Sequence, residues 1–512
     1  MRRFVVALWI AFVLQGAFHA IVAPMWDGFD EPGHLAYILF IDDHGRPPGF
    51  NEPSFARFFV EANRYLPSTV GLGAPTFAEW RRMPQAERER NRAIADQLAQ
   101  DPNRYRVYIS GNYERQQGPV FYFLDAIPGF FLRHLTLPKL LVAMRLFCVL
   151  FASTAVPISA AALLLIGGES ALAIGLPLVA LAPNTIFAFD RISNESLVLP
   201  LMAAITYALI AVATNRSSRD CWLLGILTSI GIWTRLTIVS VLAGVIIALL
   251  FGRVRSSRCW FAALGLPIAA LGVLLAWNQA ASGHMSGVIE RTTVSSTTIE
   301  DVEKALARLR GLPVTRELVK NHLWSGGWAF LKPPDALYGV VVIAILALIV
   351  IALVSRKKPI PRAVWPLLAI IIAYLTAMAL HMVNGAIAAI KDPKFPTIGA
   401  EGWYLDEMRT MEACIVAIVI GAAVSERGAR RVAQIFIILL LIANVAGTVF
   451  LLLPHWAGYS GHEVGFDVYR GAIEAAPIHR LPALPLALAA GWLIALLGGL
   501  KFAGEPRSVR VG

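Results

Sequence analysis

The feature that most constrains this chain is the recurrence of apolar stretches near the length that crosses a bilayer. A helix needs about 20 predominantly apolar residues to span the hydrocarbon core. Such segments are expected at 4–22, 140–166, 170–188, 196–214, 221–233, 238–252, 259–278, 336–354, 363–383, 409–425, 431–453 and 484–501. Those at 221–233 and 238–252 are short, so tilted or broken helices are expected there. Only 15% of the 512 residues are charged, against about 25% in a soluble domain, and the mean hydropathy is +0.62. The expected fold is an all-α polytopic membrane protein of about 12 transmembrane helices, a single domain over 1–512.

Charge sets the expected orientation. The net charge is +11. In a soluble protein that excess would raise nucleic acid as a partner. Here Lys and Arg gather in short loops, the positive-inside pattern, and no nucleic-acid partner is expected. Basic loops recur at Arg216/Arg219, Arg253/Arg255/Arg258, Arg356/Lys357/Lys358/Arg362 and Arg427/Arg430/Arg431. Arg2 and Arg3 precede the first helix, and Lys501, Arg507 and Arg510 follow the last. About 12 helices put all of these on the cytoplasmic side, with both termini. The turn at Gly167-Gly168-Glu169 is the one expected inner loop without a basic residue.

The outer segments then run 24–138, 279–335, 384–408 and 454–483, with short turns near 189–195 and 234–237. They are longer than the inner loops and rich in Trp, Tyr, His and Pro, so the working surface is expected outside. A signal peptide ending at Ile21-Val22-Ala23 is the alternative for the first segment; the first loop is external either way. Cys148, Cys221, Cys259 and Cys414 lie far apart in or beside apolar segments and show neither metal-ligand spacing nor a disulfide framework.

Within the first outer loop, Pro32 suits a first helical turn and Asp30 or Glu31 its cap. Leu35, Ile38, Leu39 and Ile41 follow near-helical spacing until Gly45-Arg46-Pro47-Pro48. A short helix along the membrane surface is expected there, and a solvated helix within 80–104. The apolar stretch from Gln117 to Arg133 holds a Pro and a Gly and is too short to cross, so a re-entrant or surface helix is expected.

Several polar groups crowd these outer helix ends. Asp30, Glu31 and His34 follow the first helix, and Asp30 and His34 lie one turn apart. A carboxylate beside low dielectric is pushed toward the pKa of a general base, although a helix cap with an interfacial His explains the same residues. Asp190-Arg191-Ile192-Ser193-Asn194-Glu195, two turns after Pro183-Asn184, reads as a second acidic element or as a polar turn with an N-cap at Ser193 or Asn194. Arg235 is a lone cation in an apolar region at an outer turn. It requires an anion, either a phosphate or a carboxylate such as Glu195 or Asp30. Trp324 and Trp328 would stack on sugar or mark the interface. Trp403, Tyr404, Asp406, Glu407 and Arg409 add carboxylates and an Arg, which a polar helix start explains equally well. No P-loop, dinucleotide fingerprint, HExxH or nucleophile elbow is present.

Taken together, these elements resemble the GT-C glycosyltransferases, which include protein mannosyltransferases and aminoarabinose transferases. The shared elements are the acidic pair Asp30-Glu31, the stretch Gln117-Gly118-Pro119-Val120-Phe121-Tyr122, and the run from Pro183 to Glu195. Trp324-Ser325-Gly326-Gly327-Trp328 and Gly402-Trp403-Tyr404 resemble elements of a bacterial GT-C-like family of uncharacterised membrane proteins. The chain departs at Gly118, where relatives often carry Pro, at Glu195, commonly Asp, and at Trp403, commonly Arg.

The resemblance implies transfer of a sugar from a polyprenyl-phosphate donor to a saccharide, lipid or protein acceptor on the periplasmic face of a bacterial inner membrane. It implies Asp30 as base with Glu31 beside it. His34, Arg191, Asn194, Glu195, Arg235, Trp324, Trp328 and Tyr404 would bind substrate, with the cations on the phosphate. No cofactor is implied with certainty; a divalent metal on Asp30 and Glu195 stays open. The rival readings are a flippase or transporter of lipid-linked saccharides and a non-catalytic lipid-linked-sugar-binding membrane protein.

Overall fold

In hydrocarbon every backbone N–H and C=O must be paired within the chain, so apolar runs of this length become helices. The computed structural model describes residues 1–28, 30–49, 52–69, 73–101, 106–185, 191–215, 217–282, 297–310, 314–324, 326, 331–355, 358–391 and 402–504. In chain order the principal helices begin with α1 (Arg2–Val22), α2 (Glu31–His44), α3 (Arg57–Asn63), α4 (Phe77–Arg82) and α5 (Gln85–Leu98). They continue with α6 (Val120–Leu132), α7 (Leu137–Ser153), α8 (Ala155–Ala180), α9 (Glu195–Asn215), α10 (Ser218–Thr234) and α11 (Val241–Phe251). Then come α12 (Leu266–Ser282), α13 (Ile299–Arg310), α14 (Val314–Leu323), α15 (Asp335–Val354) and α16 (Val364–Lys391). The last are α17 (Arg409–Ala423), α18 (Glu426–Gly447), α19 (Phe466–Ala475) and α20 (Ala483–Gly504). Among the described residues the sheet content is one antiparallel ribbon, Phe55–Ala56 with Tyr108–Ser110.

Eight helical stretches among the described residues are long and apolar enough to cross a membrane. The protein is an all-α polytopic membrane protein. One stretch, Leu137–Ala180, is 44 residues long, about twice what a crossing needs. It is broken where Gly168 adopts φ 68°, ψ −157°, a left-handed conformation that favours glycine. That break falls in the expected turn between the segments at 140–166 and 170–188. The expected segments at 221–233, 238–252 and 409–425 are helical, but α10, α11 and α17 have only 17, 11 and 15 residues.

Packing separates helices that face protein from helices that face lipid. α8 touches α1, α9, α17 and α18, and α1 also lies along α20. α15 is the opposite case: its most apolar window has hydropathy 3.2 with 11% buried. An apolar helix left this open in an aqueous protein would be an aggregation surface; in a bilayer it meets lipid.

The segment after α1 has its own core, in which Trp26, Tyr37, Phe59, Phe121 and Tyr122 pack against Leu140 and Met144 of α7. α2 ends at Gly45 in the left-handed region, as its sequence predicts. It is not a surface helix, however, because every residue from Glu31 to Ile41 is buried. The run from Leu35 to Ile41 is apolar all round rather than along one stripe, and such a helix belongs inside. Residues 80–104 contain the expected polar helix, α5. α6 has 13 residues with Pro128 inside. Its buried Asp125 accepts a hydrogen bond from Cys148 Sγ at 3.5 Å.

Candidate active site

The junction of α1 and α2 is held by one buried pair. Glu31 is 0% exposed and Arg145 1%. Arg145 donates from Nε to Glu31 Oε1 and from Nη2 to Oε2, both at 2.7 Å. Nη1 donates to the carbonyls of Ala23 at 2.7 Å and Ala20 at 3.4 Å, and Nη2 to that of Pro24 at 2.8 Å. Ile192 N–H adds a bond to Glu31 Oε1 at 3.2 Å. A guanidinium has five N–H donors, and five acceptors meet them here. The geometry makes Glu31 a clamp between α1, α2 and α7: with both oxygens engaged and no exposure, it has no free face for an acceptor. Asp27 is likewise structural, accepting from the Thr69 hydroxyl at 2.7 Å and the Trp456 indole at 3.2 Å.

Asp30 differs from its neighbour. It caps α2 through its backbone carbonyl, which accepts from Gly33 N at 2.8 Å and His34 N at 3.1 Å. Its φ of 57° is left-handed, a conformation that Asp tolerates better than most residues. The side chain makes no cap bond and keeps partial exposure. Burial pushes its carboxyl up to about 6. Arg191 and Arg235 pull it down and Glu195 pushes it up, but burial outweighs them. The Asp expected to act as base is therefore near half-ionised around pH 6.

Beside it lie two further buried guanidiniums. Arg235 donates from Nη1 to Glu195 Oε1 at 2.6 Å and pairs through Nε with Glu407 Oε1 at 2.8 Å. Its guanidinium carbon lies 5.1 Å from the centre of the Tyr404 ring. Arg191 meets Glu195 Oε2 at 3.5 Å. Asn194 donates to Gln117 Oε1 at 3.3 Å and to the Thr234 carbonyl at 3.4 Å, joining the turn before α9 to the end of α10. Burial raises the Glu407 carboxyl, and the Thr237 hydroxyl donates to it at 3.0 Å. Arg235 thus has carboxylate partners, the alternative its sequence left open.

His34 is buried and held down to about 3 by desolvation, hence neutral. Its Nδ1 lies 2.8 Å from the Tyr122 hydroxyl, which donates to Glu114 Oε2 at 3.4 Å. Glu114 is pushed well above the usual carboxylate range by burial and then by Asp30 and Glu195. Asn112 donates to the Gly33 carbonyl at 2.6 Å, fixing the turn that carries Glu114 against α2.

A second cluster adjoins through residues 402–408. Asp406 accepts from Asn184 Nδ2 at 2.5 Å and from Arg409. Arg409 Nη1 donates to Glu412 Oε2 at 3.2 Å, and His322 Nε2 lies 3.1 Å from Glu412 Oε1.

The fold thus brings together Asp30, His34, Arg191, Asn194, Glu195, Arg235 and Tyr404. Trp324 differs from its expected role as a sugar platform. Its indole is buried against Gly447, where an added Cβ would fall 2.0 Å from the ring, and its N–H donates to the Leu331 carbonyl at 2.9 Å. No ring face is left for a saccharide. Trp328 and Asp190 lie outside the described residues. A divalent metal on Asp30 and Glu195 does not fit: among the described residues no three His, Cys, Asp or Glu side chains converge as ligands, and Glu195 already faces two guanidiniums.

Three contributors had no place in the expected site. Arg145 is a lone cation in the segment at 140–166, the same signal that drew attention to Arg235. Glu407 stands in a polar stretch that reads equally well as a helix start. Glu114 lies in an ordinary polar turn and has no sequence signal.

No family model matches the chain, and no curated protein matches it. A solved structure, ArnT from Cupriavidus metallidurans bound to undecaprenyl phosphate, aligns with 97% of this chain and 77% of that one at 11% identity and a TM-score of 0.48. A likeness at that level assigns neither residue nor substrate.

Proposed function

We propose that this protein is an integral membrane glycosyltransferase that moves a sugar from a polyprenyl-phosphate donor to a saccharide, lipid or protein acceptor at the periplasmic face of a bacterial inner membrane, with both termini cytoplasmic. The observation that carries this reading is Asp30, a partly exposed carboxyl raised to about 6 beside two buried guanidiniums. The basic short loops support the orientation, and the resemblance of the acidic pair to GT-C enzymes supports the donor class.

In this reading Asp30 takes the proton of the acceptor hydroxyl. The acceptor oxygen bonds to the anomeric carbon as the bond from that carbon to the phosphate oxygen breaks. The bonding pair leaves with the polyprenyl phosphate, and a single displacement inverts the anomeric centre. Charge on the leaving phosphate is met by Arg191 and Arg235. Because Glu195 already pairs with both, the phosphate displaces Glu195 from a guanidinium rather than meeting an open cation. Glu31 holds the loop that aims Asp30 and does not touch substrate. His34, neutral, positions Tyr122 and Glu114 behind the base.

The test is transfer of radiolabelled sugar from polyprenyl phosphates to membrane-extract acceptors by protein reconstituted in lipid. Wild type should transfer label, and folded Asp30→Asn should lose about 100- to 10,000-fold, the range of a general base. Full transfer by folded Asp30→Asn overturns the assignment. Donor binding without transfer by wild type favours the transporter or the non-catalytic binding protein.

A further inference from the structure

The residues after α19 fold against the first turn of α7 and against α5, and a cavity of about 280 Å³ lies between them. None of Asp30, His34, Glu195 and Arg235 lines it, so it is separate from the site above. Its polar wall carries the cations Arg92 from α5, Lys139 from α7 and Arg480 beyond α19, with the imidazole of His479 beside them. Asp96 and Glu474 also line it. Glu474 is shared: its carboxylate pairs with Arg88 at 3.0 Å and Arg470 at 3.4 Å while it also acts on Arg92. Arg92 donates to the Glu474 backbone carbonyl and lies over the Trp80 ring. Among the lining residues, Asp96 and this shared Glu474 stand against the permanent charges of Arg92, Lys139 and Arg480. The crowding registers on the imidazole: burial, and after it Arg92 and Arg480, hold His479 down at about 4.

The position says what kind of anion fits. Lys139 belongs to the start of the membrane-crossing stretch Leu137–Ala180, so the recess opens where a helix meets the bilayer boundary. Thr136 caps α7 without a side-chain bond, and a helix start adds a positive end. The remaining wall is apolar, with Leu66, Ile478 and Leu481. Cations beside apolar wall at a membrane boundary match an amphiphile whose polar end is anionic. Guanidiniums bind phosphate and carboxylate alike bidentately; what selects phosphate is the place, since the anionic heads of membrane lipids are phosphate esters.

We propose that this recess binds a net-anionic phosphate ester at the membrane surface, with Arg92, Lys139 and Arg480 on the phosphate and the apolar wall on the adjoining hydrocarbon. The probe is phosphatidylglycerol carrying a headgroup diazirine, photolysed with the full-length protein in phosphatidylcholine bilayers, followed by peptide mapping. Label should appear in the peptides holding Thr136–Lys139 or Glu474–Leu481. The Lys139→Gln/Arg480→Gln protein, altered only at exposed side chains, should lose about tenfold of that label or more at an unchanged unfolding temperature. Competition by unlabelled phosphatidylglycerol alone identifies a lipid headgroup, and equal competition by inorganic phosphate identifies a soluble phosphate; both support the site. Undiminished label in the double variant overturns it. So does equal labelling of wild type by a phosphatidylcholine probe of the same design, a result that does not depend on the variant folding.

Discussion

Arg145 and Arg235 are both buried guanidiniums at the helix ends around α2, and they are satisfied in opposite ways. Arg145 pairs through two nitrogens with the Glu31 carboxylate, and it also donates to backbone carbonyls. Its N–H groups meet five acceptors, and Asp27 nearby also feels its charge. Arg235 shares its neighbourhood with Arg191 against Glu195, Glu407 and Asp30. The acids outnumber the cations, since Glu114 also lies close by; Asp30 and Glu195 keep partial exposure, and of these two Glu195 is tied to both guanidiniums while Asp30 has its carboxyl raised. A closed, fully bonded pair is how a fold fixes a junction. An unbalanced, partly open cluster responds to the arrival of a ligand or the loss of a proton.

The sharpest way to break this comparison is at Arg145. Arg145→Met leaves Glu31 buried without its partner, which costs about 3–5 kcal/mol, and should abolish or severely lower the folded yield, read as the unfolding temperature in detergent. A stable Arg145→Met protein would mean that the junction is not the clamp its geometry implies.

The next effect is on rate. Transfer should depend on a single ionisation near pH 6, because Asp30 must be deprotonated to act as base and its folded pKa is raised to about 6. The rate should fall about tenfold per pH unit below that point and level off above it. A limb centred near pH 4 would mean that the catalytic carboxylate lies in an ordinary solvated setting.

A smaller effect is expected at Gly118, where an added Cβ would sit 1.9 Å from the Trp233 carbonyl oxygen. Backbone cannot yield as a flexible side chain can, so Gly118→Ala should cost about 1–3 kcal/mol and shift the end of α10, and with it Arg235. The combination to measure is a lower unfolding temperature together with weakened donor binding. Loss of stability with donor binding intact would separate the α10 end from the site.

The smallest effect is at Trp324. Trp324→Phe removes one buried hydrogen bond, to the Leu331 carbonyl, worth about 1 kcal/mol, and should leave the KM for any saccharide acceptor unchanged. A raised KM would restore the stacking role that burial argues against.

Much of the architecture was legible in the sequence because hydrocarbon permits few solutions. The length of the apolar runs, the break at Gly168, the stop of α2 at Gly45 and the polar helix within 80–104 all follow from local composition and backbone freedom. The acids after α1 were legible as a candidate site, since ionisable groups are rarely placed beside lipid without use. What local pattern could not do was divide Asp30 from Glu31. The two are adjacent carboxylates, and only the arrival of Arg145 from α7, more than a hundred residues away, takes Glu31 out of reach and leaves Asp30 open. The same holds for Glu407, which reaches Arg235 across the fold, and for Glu114, brought behind His34 by a turn with no distinguishing sequence. Trp324 shows the converse, an aromatic that reads as a platform until Gly447 packs against its ring. The sequence by itself determined that this chain lies in a membrane and where its polar groups emerge, because both follow from short-range free energies of transfer. Which of those groups are sealed into ion pairs and which stay available was decided only by tertiary structure, because pairing is a property of contacts between segments distant along the chain.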